Sequence, residues 1–108
     1  MSKTAHLIQK ASVHAQRKEF AEAVKIYKQV LSKEPNNLDA NYLLGSIYCE
    51  LGEWENAQTL LLKAYQLQPS SPYVCNNLGN LYKMRGLLDE AARFYQQAIA
   101  LKCDIPQA

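Results

Sequence analysis

The sequence predicts an all-α fold: an α-solenoid of three stacked, antiparallel helix-turn-helix units. Three observations carry that expectation. The first is a period of 34 residues. The stretch Asn77-Leu78-Gly79-Asn80-Leu81-Tyr82, with Gly86, Ala91 and Phe94-Tyr95 behind it, reappears 34 residues earlier as Leu43-Leu44-Gly45-Ser46-Ile47-Tyr48, with Gly52, Ala57 and Leu61. A worn copy precedes both, in Ala11, Val13-His14, Ala21-Glu22-Ala23, Tyr27 and Val30. Self-similarity at a fixed period of this length marks a repeat architecture. The second observation is apolar residues at helical spacing throughout, with no strand-like alternation. The third is Gly and Pro punctuation at matching places in the period.

The elements follow in chain order. From about Thr4 to Arg17, Leu7, Ala11, Val13 and Ala15 mark one helix face. From about Phe20 to Ser32, Ala23, Val24, Ile26, Tyr27, Val30 and Leu31 mark the next. Pro35 cannot continue a helix, and Asn36-Asn37 suits a turn. Asn37 or Asp39 is placed to cap the helix that follows. The second pair is predicted over Leu38–Leu51 and Trp54–Leu67, divided at Gly52, since Gly just past a helix end is the expected stop. Pro69-Ser70-Ser71-Pro72 breaks the chain again, with Ser71 as N-cap and Pro72 in the first turn. The third pair is predicted over Pro72–Arg85 and Leu88–Leu101, divided at Gly86. The chain is thus expected to be one domain, 1–108, with units at approximately 4–37, 38–71 and 72–105, and 106–108 opening a truncated fourth.

The totals restrict the function. Among 108 residues, 48% are apolar and 20% charged, ordinary for a folded protein, and the net charge of +2 is too small to argue for nucleic acid. No aromatic–basic stripe suits a single strand. The first unit is basic and the second, with Asp39, Glu50, Glu53 and Glu55 against Lys63, is acidic. That pattern is a solvated surface or a device that steers a charged partner. Cys49, Cys75 and Cys103 form no C-x-x-C pair, which argues against a disulfide framework and a zinc site. A reducing compartment, hence a cytoplasmic location, is expected. The N-terminus lacks the apolar core of a signal peptide, and no apolar run approaches the ~20 residues that span a bilayer.

The period and its residues resemble the tetratricopeptide repeat family, whose motif is W-x2-L-G-x2-Y followed by Ala, Phe, Ala and Pro. The second unit carries Leu44, Gly45, Tyr48, Ala57, Leu61, Ala64 and Pro69, with Asn41 in the Trp slot. The third carries Leu78, Gly79, Tyr82, Ala91, Tyr95 and Ala98, with Cys75 in the Trp slot and Cys103 in the Pro slot. The first carries Ala11 in the Gly slot, His14 in the Tyr slot, then Ala23, Tyr27, Val30 and Pro35. The resemblance implies a right-handed superhelix in which Gly45, Gly79, Ala57 and Ala91 let paired helices approach, and Tyr48 and Tyr82 fill the seams. It also implies a missing polar cap, so that Tyr95, Ala98, Ile99 and Leu101 expose an apolar face open to self-association.

In such arrays the first helices line a concave groove that holds an extended peptide or helix. Helical spacing then names the groove residues. They are Ala5, Ile8, Gln9, Ser12 and Gln16 in the first unit, and Asp39, Tyr42, Leu43, Ser46, Cys49 and Glu50 in the second. In the third they are Tyr73, Asn76, Asn77, Asn80, Lys83 and Met84. Asn is a mediocre helix former, so Asn76, Asn77 and Asn80 together suggest amides aimed at a peptide backbone or a merely solvated face. The cluster resembles the asparagine ladder of the O-linked N-acetylglucosamine transferase repeats, although Gln9 and Leu43 stand at the matching places of the other units. The basic clamp of chaperone-binding members has no counterpart, because its places hold Ile8, Ser12, Leu43, Tyr73 and Asn77.

No catalytic residues are expected. His6 and His14 lack partners at metal-ligand spacing, Glu53 and Glu55 flank Trp54 in a turn, and no phosphate-loop or nucleophile-elbow motif occurs. The sequence therefore predicts a non-catalytic module with no cofactor and no metal. Its partner is another protein or peptide, or a second copy of the chain, and not nucleic acid or a membrane. The alternative is an N-terminal recruitment segment of a larger enzyme such as a glycosyltransferase.

Overall fold

Six helices follow one another, with no strand among the described residues: α1 (Lys3–Gln16), α2 (Phe20–Lys33), α3 (Leu38–Leu51), α4 (Trp54–Leu67), α5 (Pro72–Met84) and α6 (Leu88–Cys103). The structure is a computed structural model that describes residues 3–103. The segment 106–108 and the side chain of Cys103 lie outside that description. Helix bounds differ from the expected ones by at most two residues. Helices α1 and α2, α3 and α4, and α5 and α6 form pairs; α2 packs on α3 and α4 on α5. The result is an all-α helical repeat solenoid.

Local chemistry starts and stops the helices. The Asn37 side chain accepts from the Ala40 amide at 2.9 Å, and the Ser71 hydroxyl accepts from the Val74 amide at 3.4 Å. Each satisfies an amide that the first helical turn leaves without a partner. Gly52 and Gly86 turn the chain with φ of 76° and 79°. In the first unit the same place is held by Lys18, at φ 64°. A side chain there costs about 1–2 kcal/mol, because its Cβ crowds the next carbonyl.

Close approach within pairs is set by absent side chains. A Cβ built on Gly45 would lie 2.8 Å from Leu61 Cγ, and Leu61 is fully buried. One built on Gly79 would lie 2.8 Å from the Tyr95 ring. Ala57 and Ala91 are buried on the opposing helices. At the seam, Tyr82 stacks on Phe94 with centroids 5.6 Å apart, and Phe94 meets Tyr65 edge-on at 5.5 Å. Such aromatic pairs add about 0.5–1.5 kcal/mol each beyond the area they bury.

The Trp slots do polar work. Asn41, buried, donates from Nδ2 to the carbonyls of Pro35 (3.1 Å) and Asn37 (2.8 Å), holding the turn between units. Cys75, in the same slot, points Sγ at the Pro69 carbonyl at 3.9 Å. Two expectations need correction. Ala98 is buried, not exposed, and only Ile99 of the four α6 residues is strongly exposed; Tyr95 and Leu101 are half-buried. His14 is half-buried and pairs with Glu19 at 2.8 Å near the end of α1, so it does not fill a seam as Tyr48 and Tyr82 do.

Three stability outcomes follow, all readable by urea denaturation. Gly86→Ala should lose about 1 kcal/mol from backbone strain alone, because nothing lies within 4 Å of the added carbon. Lys18→Gly should not lose stability. Asn41→Leu should lose about 1–3 kcal/mol by leaving the Pro35 carbonyl without its donor; an unchanged midpoint would remove the role given to that amide.

Candidate functional site

Helices α1, α3 and α5 lie side by side and touch lightly, and their outer side chains make up most of one face of the solenoid. The face residues divide by exposure. Gln9, Asp39, Tyr73, Asn76 and Lys83 are exposed, as are Ala5, Gln16, Glu50 and Met84. Ile8, Ser12, Tyr42, Leu43, Ser46, Cys49, Asn77 and Asn80 are half-buried.

The half-buried polar groups are engaged inside the protein. Ser12 Oγ lies 3.2 Å from the Tyr27 hydroxyl, tying α1 to α2. Asn80 stands 68 residues after Ser12, and Tyr95 stands 68 after Tyr27; Tyr95 donates to Asn80 Oδ1, the same tie in the third unit. The middle unit has Leu61 where Tyr27 and Tyr95 stand, so Ser46 has no hydroxyl opposite it. It donates instead to the Tyr42 carbonyl at 3.0 Å and accepts from Asn77 Nδ2, joining α3 to α5. Of the three asparagines, Asn76 alone is fully open to solvent.

Between α1 and α3 lies a recess of about 240 Å³. It gathers Ser12, Leu43 and Ser46 with Gln16 and Glu50, all expected on this face. It also gathers Ala15, Phe20, Tyr27 and Ile47, which sequence spacing did not assign to it. Phe20 and Tyr27 come from the second helix and reach the face because α1 and α3 leave a gap over them. Their aromatic character in the most degraded unit was the available signal. Tyr42 lies apart from the recess, near Asn77 and Tyr73.

Burial pushes the Tyr27 hydroxyl above its ordinary pKa, opposed by the Ser12 hydrogen bond and assisted by the Asp39 charge. Burial likewise raises Tyr42, opposed by its hydrogen bond to Asn77. Burial also raises the Cys49 thiol, so it is no ready nucleophile. Among the described residues no group of three or more His, Cys, Asp or Glu is placed to hold a metal ion. Nor is any helix long and apolar enough to cross a membrane.

Comparison with known proteins gives a consistent result. Family profiles described as tetratricopeptide repeat match residues 14–64 and 72–104, and one described as TPR repeat matches residues 45–86. The protein O-mannosyl-transferase TMTC1 of Mus musculus is 35% identical over 102 residues, covering 91% of this chain. The chain spans only 11% of that relative's length. The first TPR of Spaghetti (RPAP3) bound to the HSP90 peptide SRMEEVD superposes with a TM-score of 0.89 at 20% identity, covering 95% of this chain and 82% of that one. The Sgt2 TPR domain from Aspergillus fumigatus gives 0.89 at 21%, covering 96% and 69%. At these identities the likeness to the two structures is one of fold.

The raised tyrosines predict an alkaline limit. A group favoured neutral in the fold contributes its full stability below the unfolded pKa of 10.0 and loses it as pH rises through the folded value. Thermal stability should therefore fall above about pH 10, and less steeply in Tyr27→Phe and Tyr42→Phe. Equal slopes in both variants and the parent would show that these hydroxyls are not held neutral.

Proposed function

The chain belongs to the tetratricopeptide repeat family, and from that premise we propose that it is a non-catalytic, cytoplasmic scaffold module holding an extended peptide or helix of another protein across α1, α3 and α5. One observation carries this reading: the face combines exposed, chemically mixed side chains with a recess, while its structural polar groups are already satisfied. Tyr42 and Tyr73 provide apolar surface, and Asn76 offers an amide with both a donor and an acceptor for a peptide backbone. Ile8, Gln9, Ser12, Asp39, Leu43, Ser46 and Lys83 complete the contact face. Asn77 and Asn80 support it from within and are not the principal clamp. Structures of the same fold include one bound to a peptide, which supports the mode and not the ligand. The balanced charge and the absence of a basic stripe favour protein over nucleic acid.

A second reading makes the chain a recruitment segment of a glycosyltransferase. The 35% identity to a protein O-mannosyl-transferase, of which it spans 11%, supports it. Ile99, 63% exposed on α6, supports a third, in which copies associate through that face.

The groove reading is tested by quantitative affinity capture with the parent chain and a Tyr42→Ala, Tyr73→Ala, Asn76→Ala variant. The variant should lose at least tenfold of its specific partners while keeping its melting temperature. Identical recoveries would place the interaction elsewhere.

A further inference from the structure

The recess between α1 and α3 has a chemistry that specifies its occupant. Its walls are the apolar side chains of Ala15, Phe20, Leu43 and Ile47. The hydroxyls of Ser12 and Tyr27 meet each other, so the recess makes little polar demand on what enters it. At about 240 Å³ it falls below the ~300 Å³ at which pockets begin to hold drug-sized ligands. It is sized for one large side chain.

Glu50 is the charged residue of its lining; Asp39 lies near the other end of α3, about 16 Å away at 1.5 Å per residue. None of the face residues of α1 and α3 is Lys or Arg. Lys18 reaches Glu50 at 3.7 Å and stands 5.7 Å from the centre of the Phe20 ring, and both side chains of the ion pair are more than half exposed. A pair of that kind contributes little and can be shared or displaced.

We propose that this recess takes one large apolar side chain of a peptide partner, and that Glu50 selects a Lys or Arg adjacent to that anchor. The inference rests on the groove reading and names the class of peptide it takes: apolar-anchored and basic. An acidic peptide is disfavoured, since Lys18, the cation beside the anchor site, already pairs with Glu50.

The test is selection of a randomised phage-displayed peptide library on the immobilised chain, followed by fluorescence anisotropy of a labelled, enriched peptide. Enriched sequences should carry Phe, Trp, Leu or Met with Lys or Arg within two positions. Replacing the anchor by Ala should weaken binding at least tenfold. Glu50→Lys, at an exposed site that the fold tolerates, should weaken it at least threefold and reduce its dependence on salt. Leu43→Arg, checked for folding by circular dichroism, should abolish it. The same enriched peptide with Glu in place of its Lys or Arg should not bind. Enrichment of acidic or anchorless peptides, undiminished binding of the Glu-substituted peptide, or affinity unmoved by Glu50→Lys overturns the inference while leaving a peptide-binding groove standing. No enrichment at all overturns the inference, and with unchanged capture by the triple-alanine variant it overturns the groove reading as well.

Discussion

Within each pair, the distance between the two helices is set by a slot that holds at most one carbon. Gly45 meets Leu61, and Gly79 meets the Tyr95 ring, each leaving no room for a side chain. In the first unit Ala11 occupies the slot and is fully buried. Neither helix of a pair is long enough to be stable alone in water. Backbone-close contact brings many dispersion contacts into reach at once, and interiors are packed too densely to tolerate a gap there. With that spacing set, α2 can lean on α3 and α4 on α5, and the larger rings of Tyr82, Phe94 and Tyr65 close the joint between the last two units.

Polar contacts follow the same register. Ser12 with Tyr27, and Asn80 with Tyr95, tie first helix to second one residue beyond the small slot. In the middle unit Leu61, packed against Gly45, has no hydroxyl to offer, so Ser46 bridges toward Asn77 instead. One apolar substitution in the repeat thus converts a bond within a unit into a bond between units. Among the described residues no buried side-chain nitrogen or oxygen lacks a partner. An unsatisfied group there would cost about 1–3 kcal/mol.

Features decided locally were legible in the sequence. The caps at Asn37 and Ser71, the turns at Gly52 and Gly86, and all six helices depend on neighbours a few residues away. Lys18 was legible only by counting back one period from Gly52, since nothing about a lysine announces a left-handed turn. Asn80 looked like a peptide contact because helical spacing gives a direction and not an occupant; its partner Tyr95 sits on the other helix of the pair. The recess was the least legible feature. It is a gap between α1 and α3, which belong to different units, floored by Phe20 and Tyr27 from α2. No single-helix pattern encodes a gap. Which face residues bind anything is likewise not a folding question, because those side chains can change without disturbing the slots.

That separation bears on how the face can recognise a partner. Most of its amides and hydroxyls are already committed: Asn77 to Ser46, Asn80 to Tyr95, Ser12 to Tyr27. Redirecting any of them to a ligand exchanges one hydrogen bond for another, with a net gain near zero. Among the amides Gln9, Gln16 and Asn76 remain exposed, and a neutral hydrogen bond contributes only about 0.5–1.5 kcal/mol. Burying one large apolar side chain contributes about 1.5–3 kcal/mol. For the proposed peptide, these magnitudes would put the main energy of recognition in the recess and over Tyr42 and Tyr73, with the polar groups setting direction. A ladder of backbone-clamping amides would need an open Asn in every unit. Here the first unit offers Gln9 and the second Leu43, and Leu43 is a wall of the recess. On the proposed groove reading, this chain would grip a peptide's side chain rather than its backbone.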